Sequence, residues 1–117
     1  MSKLTYITGD IFTAPPNTIL IHACNTKGSW GAGIALSFKE KYPAQFHVYE
    51  AHCKKYGDAL VGTCLIIPGE THDVGCLFTS KGYGRNRDRP DMILSATRAA
   101  LVDLMRQNVI GKELHAW

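Results

Sequence analysis

Apolar positions along the chain follow two different periods. Residues 3–8 mix β-branched and aromatic side chains and run into Gly9-Asp10, which predicts a strand stopped by a turn. Residues 18–24, Thr-Ile-Leu-Ile-His-Ala-Cys, are almost continuously apolar, as a strand covered on both faces requires. Residues 61–67, ended by Pro68-Gly69, and residues 74–79 predict two further strands. Elsewhere the period is helical. Ile34, Phe38 and Tyr42 predict a helix over 34–42. Pro43 opens a second over 43–56, with Phe46, Tyr49, Cys53 and Tyr56 in one stripe and Gly57 as its stop. Pro90 suits the first turn of a last helix, with Ile93, Thr97, Ala100, Leu101 and Leu104 on one face. Residues 82–90 are polar and loop-like, and residues 109–117 carry no readable pattern. The order β-β-α-α-β-β-α predicts an α/β fold, a mixed central sheet between two layers of helices.

Composition narrows the class. The 117 residues suit a single domain spanning 1–117, and 45% apolar with 20% charged residues is ordinary for a packed globular fold. A net charge of +3 is too small to argue for nucleic acid, yet it does not repel an anionic small molecule. No run approaches a membrane span and no signal peptide is read at the start, so no membrane partner is expected, and the expected location is the cytoplasm or nucleus. The four cysteines, Cys24, Cys53, Cys64 and Cys76, form no CxxC pair and read as free thiols in a reducing compartment. The adjacent His52 and Cys53 point in different directions on a helix, which argues against a zinc site there; no residue cluster read from the sequence requires a metal, and no cofactor is expected.

The candidate chemistry lies where the second strand ends. Asn25-Thr-Lys-Gly-Ser-Trp-Gly-Ala-Gly33 has three glycines in nine residues and leads into a helix. A helix N-terminus leaves backbone N–H groups unpaired, its dipole favours negative charge, and glycines let phosphate oxygens approach. The site falls at the C-terminal end of a strand, where open α/β sheets hold ligands. Neither GxxxxGK[ST] nor GxGxxG is matched, so these features alone leave an ordinary strand–helix turn equally open.

Residues 21–35, Ile-His-Ala-Cys-Asn-Thr-Lys-Gly-Ser-Trp-Gly-Ala-Gly-Ile-Ala, followed by Lys41-Tyr-Pro43, resemble the macrodomain signature, most of all that of the fungal ADP-ribose-1″-phosphate phosphatase branch. Thr5–Phe12 is similar to that family's opening strand and Gly-Asp-Ile motif, and Cys76–Ser80 to a later core strand. The resemblance, over roughly residues 4–105, implies a three-layer α/β/α macrodomain-like fold, an ADP-ribose site, and hydrolysis of ADP-ribose-1″-phosphate to ADP-ribose and phosphate. The alternatives are a non-catalytic ADP-ribose reader and a hydrolase that removes ADP-ribose from modified protein side chains.

The resemblance also implies roles. Gly9, Asp10 and Ile11 would meet the adenine, Asp10 by its carboxylate and Ile11 by its N–H. Asn25 would hold the distal ribose. Gly31, Ala32, Gly33 and Ile34 would cradle the diphosphate through main-chain N–H groups. Cys24, Thr26 and Ser80 line the same region. Trp30 either walls the pocket or packs on the sheet. His22 and Asn25 are the catalytic candidates, with His22 open to a second reading as a core histidine. Alternation along the strand puts His22 and Cys24 on one face and Ala23 and Asn25 on the other. Lys27 and Lys81 read as charges that attract phosphate. Nothing in residues 111–117 matches the family's second glycine-rich phosphate loop, so the fold reads as shortened at its C-terminus, with a sheet edge left exposed and a monomer or weak dimer expected. ADP-ribosylated proteins are the implied macromolecular partners, and no nucleic acid is expected.

Overall fold

In a computed structural model of the chain, the described residues are 4–5, 10–31, 33–82 and 88–116. They form β1 (Leu4–Thr5), β2 (Ile19–Asn25), α1 (Gly33–Lys41), α2 (Pro43–Tyr56), β3 (Cys64–Ile67), β4 (Asp73–Ser80), α3 (Pro90–Gln107) and β5 (Leu114–Ala116), with 3-10 turns at Ile11–Thr13 and Gly57–Leu60. The sheet order is β1-β5-β2-β4-β3; every pairing is parallel except β3 with β4. The expected mixed sheet between helical layers is therefore present. Of the strand expected over 3–8, Leu4 and Thr5 are strand, and the rest lies outside the described residues.

The sheet buries both faces. Leu20, Cys24, Val74, Cys76 and Phe78 pack with Phe38 of α1 and Phe46, Tyr49 and Cys53 of α2. Ile19, Ile21, Leu77 and Leu114 pack with Ala100 and Leu104 of α3. Two-sided burial is why residues 18–24 read as continuously apolar. α3 also guards the sheet's β3 edge. The Cys64 N–H donates to Asp103 at 2.8 Å and the Cys64 carbonyl accepts from Gln107 at 2.8 Å, so these two edge groups are not free to pair with another chain.

Four expectations are corrected. Residues 109–117 do contain a strand: Leu114–Ala116 inserts between β1 and β2, joined by the Ile19 N–H to the Glu113 carbonyl at 2.9 Å. In α2, Phe46, Tyr49 and Cys53 are buried but Tyr56 is exposed, because the helix reaches Gly57 at the margin of the sheet. In α3 the buried face is Ala96, Ala100 and Leu104, while Leu101 turns outward; the four-residue spacing with two alanines lets the helix lie close to the strands. The strand expected over 61–67 starts at Cys64, after the 3-10 turn.

Two further contacts hold the loops at the other end of the sheet. Buried His72 donates from Nε2 to the Ala14 carbonyl (2.7 Å) and accepts at Nδ1 from the Tyr42 hydroxyl (2.6 Å). Lys112 pairs with Asp73 at 2.7 Å, tying the approach to β5 to the start of β4.

Candidate functional site

The site is organised by Asn25, the last residue of β2. Pairing of β2 with β4 shifts register between Cys24 and Asn25, so that Cys24 faces Phe78 and Asn25 faces Ser80. This irregularity breaks the expected alternation, because a bulge re-aims the side chain that follows it. Asn25 meets α2, on the side where Cys24 is packed: the Tyr49 hydroxyl donates to the Asn25 carbonyl at 2.8 Å and lies 3.1 Å from its Oδ1. Oδ1 also accepts from the Lys27 N–H at 2.9 Å and, more weakly, from the Ser29 N–H at 3.4 Å, while Nδ2 donates to the Ser29 carbonyl at 2.9 Å. The amide thus staples the loop shut. An Asn amide carries two donors and one carbonyl acceptor, so one N–H is left to offer a ligand and the acceptor is engaged. The hold on the distal ribose expected of Asn25 is left to that one N–H.

Beneath the loop lies an aromatic stack. Trp30 is 1% exposed and stacks on Tyr49 at 4.8 Å. Of the two roles open to it, the structure places it packing on the sheet. His22 is 2% exposed, stacks on Phe38 at 4.1 Å and meets the edge of Trp30 at 4.8 Å. It is the core histidine of the two readings, because Phe38 and Trp30 cover it from solvent, and the acid–base role does not fit this placement. Cys24 and Thr26 are buried too. Thr26 donates to Asp58 at 2.8 Å; that bond, with Lys27 3.4 Å from the same carboxylate, holds the Asp58 carboxyl below its usual range. Cys24, Thr26 and Trp30, expected to line the ligand, therefore face the protein with their side chains.

What faces outward is mainly backbone. Gly31 and Gly33 are exposed; Gly33 has φ +58°, and a Cβ built there would meet nothing within 4 Å. Gly33 and Ile34 open α1, a nine-residue helix with no acidic side chain in its first turn, so N–H groups without helical partners sit there next to open space. Asp10 is exposed and caps the following 3-10 turn, its Oδ1 accepting from the Phe12 N–H at 2.9 Å. That bond leaves Oδ2 for an outside donor. Ile11 buries its side chain and contributes main chain only. Ser80 ends β4 beside the loop: its carbonyl accepts the Thr26 N–H at 3.1 Å and its hydroxyl donates to Gly82 at 3.1 Å. Lys27 and Lys81 are both exposed next to it. Gly9 and Ala32 lie outside the described residues. Two clefts, of about 790 and 500 Å³, run along α2; the larger includes Thr26 and Lys27 of the loop, and neither is lined by Asp10 or residues 31–34.

Sequence reasoning missed one cluster. One His22 ring nitrogen and the Cys24 and Cys76 sulfurs all lie within 4.8 Å of one another, and all three residues are buried. The signal was present: His22-x-Cys24 puts two side chains on one face of β2, and Cys76 pairs with His22 across the sheet. Burial resists ionisation of both thiols. At Cys24 the Cys76 thiol hydrogen bond and the His22 imidazole outweigh burial and lower the thiol, whereas Cys76 is pushed up.

Comparison with known proteins adds a lineage to this geometry. A family model described as Macro domain matches residues 21–110. A protein of Chaetomium globosum named ADP-ribose 1''-phosphate phosphatase is 53% identical over 89% of this chain, and one of Neosartorya fischeri with the same name is 41% identical over 91%. The chain spans 62% of the length of the first relative and 70% of the second. Among solved structures, the macrodomain of Mycobacterium tuberculosis DarG superposes with a TM-score of 0.79 at 26% identity, covering 99% of this chain and 76% of that one. Thermosipho africanus DarTG, solved in complex with ADP-ribose, superposes at 0.77 with 18% identity, covering 99% of this chain and 33% of its own, a likeness of fold alone.

Proposed function

The chain belongs to the Macro domain family, and from that premise we propose that it binds ADP-ribose and hydrolyses ADP-ribose 1''-phosphate to ADP-ribose and inorganic phosphate. The observation that carries the reading is the backbone at Gly31, Gly33 and Ile34: two exposed glycines, a left-handed Gly33 and the first turn of α1, set at the C-terminal ends of β2 and β4. The diphosphate lies across those N–H groups. Asp10 takes the adenine amino group on its free oxygen, and the Ile11 N–H meets a ring nitrogen. Asn25 gives its remaining N–H to the distal ribose. Lys27 and Lys81 raise the local concentration of the anion.

In the hydrolysis a water oxygen bonds to phosphorus while the bond from phosphorus to the 1'' oxygen breaks. The departing oxygen takes a proton and leaves as the hydroxyl of ADP-ribose, and the water's proton is lost to solvent or phosphate. With His22 enclosed, the acceleration comes from fixed main-chain dipoles around the phosphoryl oxygens and from positioning.

The enclosed His22 also supports a second reading, a module that binds ADP-ribose on modified proteins without turning it over. Phosphate release from ADP-ribose 1''-phosphate, run beside calorimetry with ADP-ribose, separates the two. Release above the buffer rate supports the enzyme; binding without release supports the reader; failure of both removes the assignment.

A further inference from the structure

We propose that His22, Cys24 and Cys76 form a three-coordinate site for a soft monovalent d10 cation of the Cu(I) class, buried between β2, β4 and the aromatic stack. The first support is metric. With metal–sulfur bonds of about 2.3 Å and a metal–nitrogen bond of about 2.0 Å, a trigonal site places sulfur and nitrogen about 3.7 Å apart and the two sulfurs about 4.0 Å apart. Cys24 Sγ lies 3.7 Å from each His22 ring nitrogen, and every pair of ligand atoms is within 4.8 Å. Closing onto a metal therefore asks for shifts of about 1 Å or less at the remaining pairs, together with a turn of the imidazole that aims one nitrogen at both sulfurs. The backbone already supplies the placement, because β2 presents His22 and Cys24 on one face and the register sets Cys76 opposite His22.

The second support is chemical. Two thiolates and an imidazole are soft donors that select Cu(I), zinc and iron–sulfur centres over hard cations. Among the described residues, no fourth His, Cys, Asp or Glu joins the group. A structural zinc site takes four protein ligands and a catalytic one adds water, but all three residues here are at most 4% exposed in an apolar core. Three ligands with no room for a fourth suit a d10 monocation. The third support is an orphaned donor. The buried Trp30 indole N–H makes no hydrogen bond of good geometry, and the acceptor it approaches is the Cys24 sulfur. A metal-bound thiolate is the charged acceptor that such a donor lacks.

The test uses the full chain refolded without oxygen in the presence of Cu(I), then challenged with a coloured Cu(I) chelator; Zn(II) is run in parallel. The expected result is one retained equivalent of Cu(I), held more tightly than Zn(II). Cys24→Ser and Cys76→Ser each weaken retention by about tenfold or more, whereas Cys53→Ser and Cys64→Ser leave it intact. Because replacing a core thiol risks unfolding, copper-edge X-ray absorption of the unsubstituted protein gives an independent answer: two sulfurs and one nitrogen in the first shell. No retained equivalent, loss of copper on replacing Cys53 or Cys64 instead, a two- or four-coordinate spectrum, or tighter zinc would each overturn the proposal.

Discussion

Replacing Asn25 by alanine tests whether the loop is built by that one amide. The substitution removes two good hydrogen bonds, Nδ2 to the Ser29 carbonyl and Oδ1 from the Lys27 N–H, and two weaker contacts to Oδ1, from the Ser29 N–H and from the Tyr49 hydroxyl, whose proton goes mainly to the Asn25 carbonyl. Each good bond is worth about 1 kcal/mol net, so the loss is about 2 kcal/mol. For a domain of this size that lowers the melting temperature by roughly 8 °C. ADP-ribose affinity falls further than stability alone accounts for, by about tenfold, because the ligand must then order the loop. Tyr49→Phe removes the hydroxyl that donates to the Asn25 carbonyl and also touches its amide oxygen, and costs about 1 kcal/mol. The double variant costs less than the sum of the singles, since both delete one shared contact. Thermal unfolding and calorimetry measure the set. An Asn25→Ala protein within about 0.5 kcal/mol of the parent, or strictly additive changes, would refute the claim that this amide closes the loop.

Gly33→Val forces a β-branched residue into a left-handed backbone and fills open space with a Cβ; it costs about 1–3 kcal/mol and weakens ADP-ribose binding severely, with Gly33→Ala between the two. Normal affinity in the valine variant would leave the loop as a turn only. Asp103 gives a pH signature. Burial raises its carboxyl, but the Cys64 N–H and then Arg106 outweigh this and hold it below its ordinary 3.8. The unfolded chain therefore takes up the proton first, so this stabilisation is complete above about pH 4–5 and is lost as pH falls through the folded value. Asp103→Asn flattens that acid limb in urea titrations, and an unchanged limb would contradict the assignment. Lys81→Gln lowers ADP-ribose affinity about two- to threefold at low salt and much less at 0.5 M salt, as expected of an exposed, screened charge; a salt-independent loss would indicate a direct contact instead.

The parts of the fold readable from sequence were those fixed by local chemistry. Two-sided burial wrote β2 as an unbroken apolar run, and Pro43 and Gly57 bracketed α2 because a first-turn proline and a terminal glycine have strong positional meanings. β5 was invisible, since three residues carry no period and Leu114–Ala116 becomes a strand only through β1 and β2 on either side. The site divided in the same way. Its location at the end of β2 and the glycines of its turn were legible. The direction of each side chain was not, because nothing in Cys24-Asn25 announces the register shift that swings Asn25 towards Tyr49. His22 in an apolar run reads as an acid–base residue or as core, with the core reading favoured; only the rings of Phe38 and Trp30 decide.

That division carries a consequence for recognition. The loop's larger side chains are spent on its own architecture: Trp30 on Tyr49, Asn25 on Ser29 and Lys27, Thr26 on Asp58. Its outward face is left to glycine backbone and the first turn of α1. Main-chain N–H groups cannot be altered by substituting a side chain, and they suit any pyrophosphate, so the turn supplies affinity with little discrimination among nucleotides. Discrimination must then come from the two ends, from the Asp10 carboxylate that accepts an exocyclic amine and from whatever flanks the distal ribose. A guanine presents a carbonyl where adenine presents its amine, which would set two acceptors face to face at Asp10. Asp10→Asn, whose amide can donate to that carbonyl, should therefore narrow the gap between ADP-ribose and its guanine counterpart. If the gap in calorimetric affinity stayed as wide as in the parent, Asp10 would not be the group that reads the base.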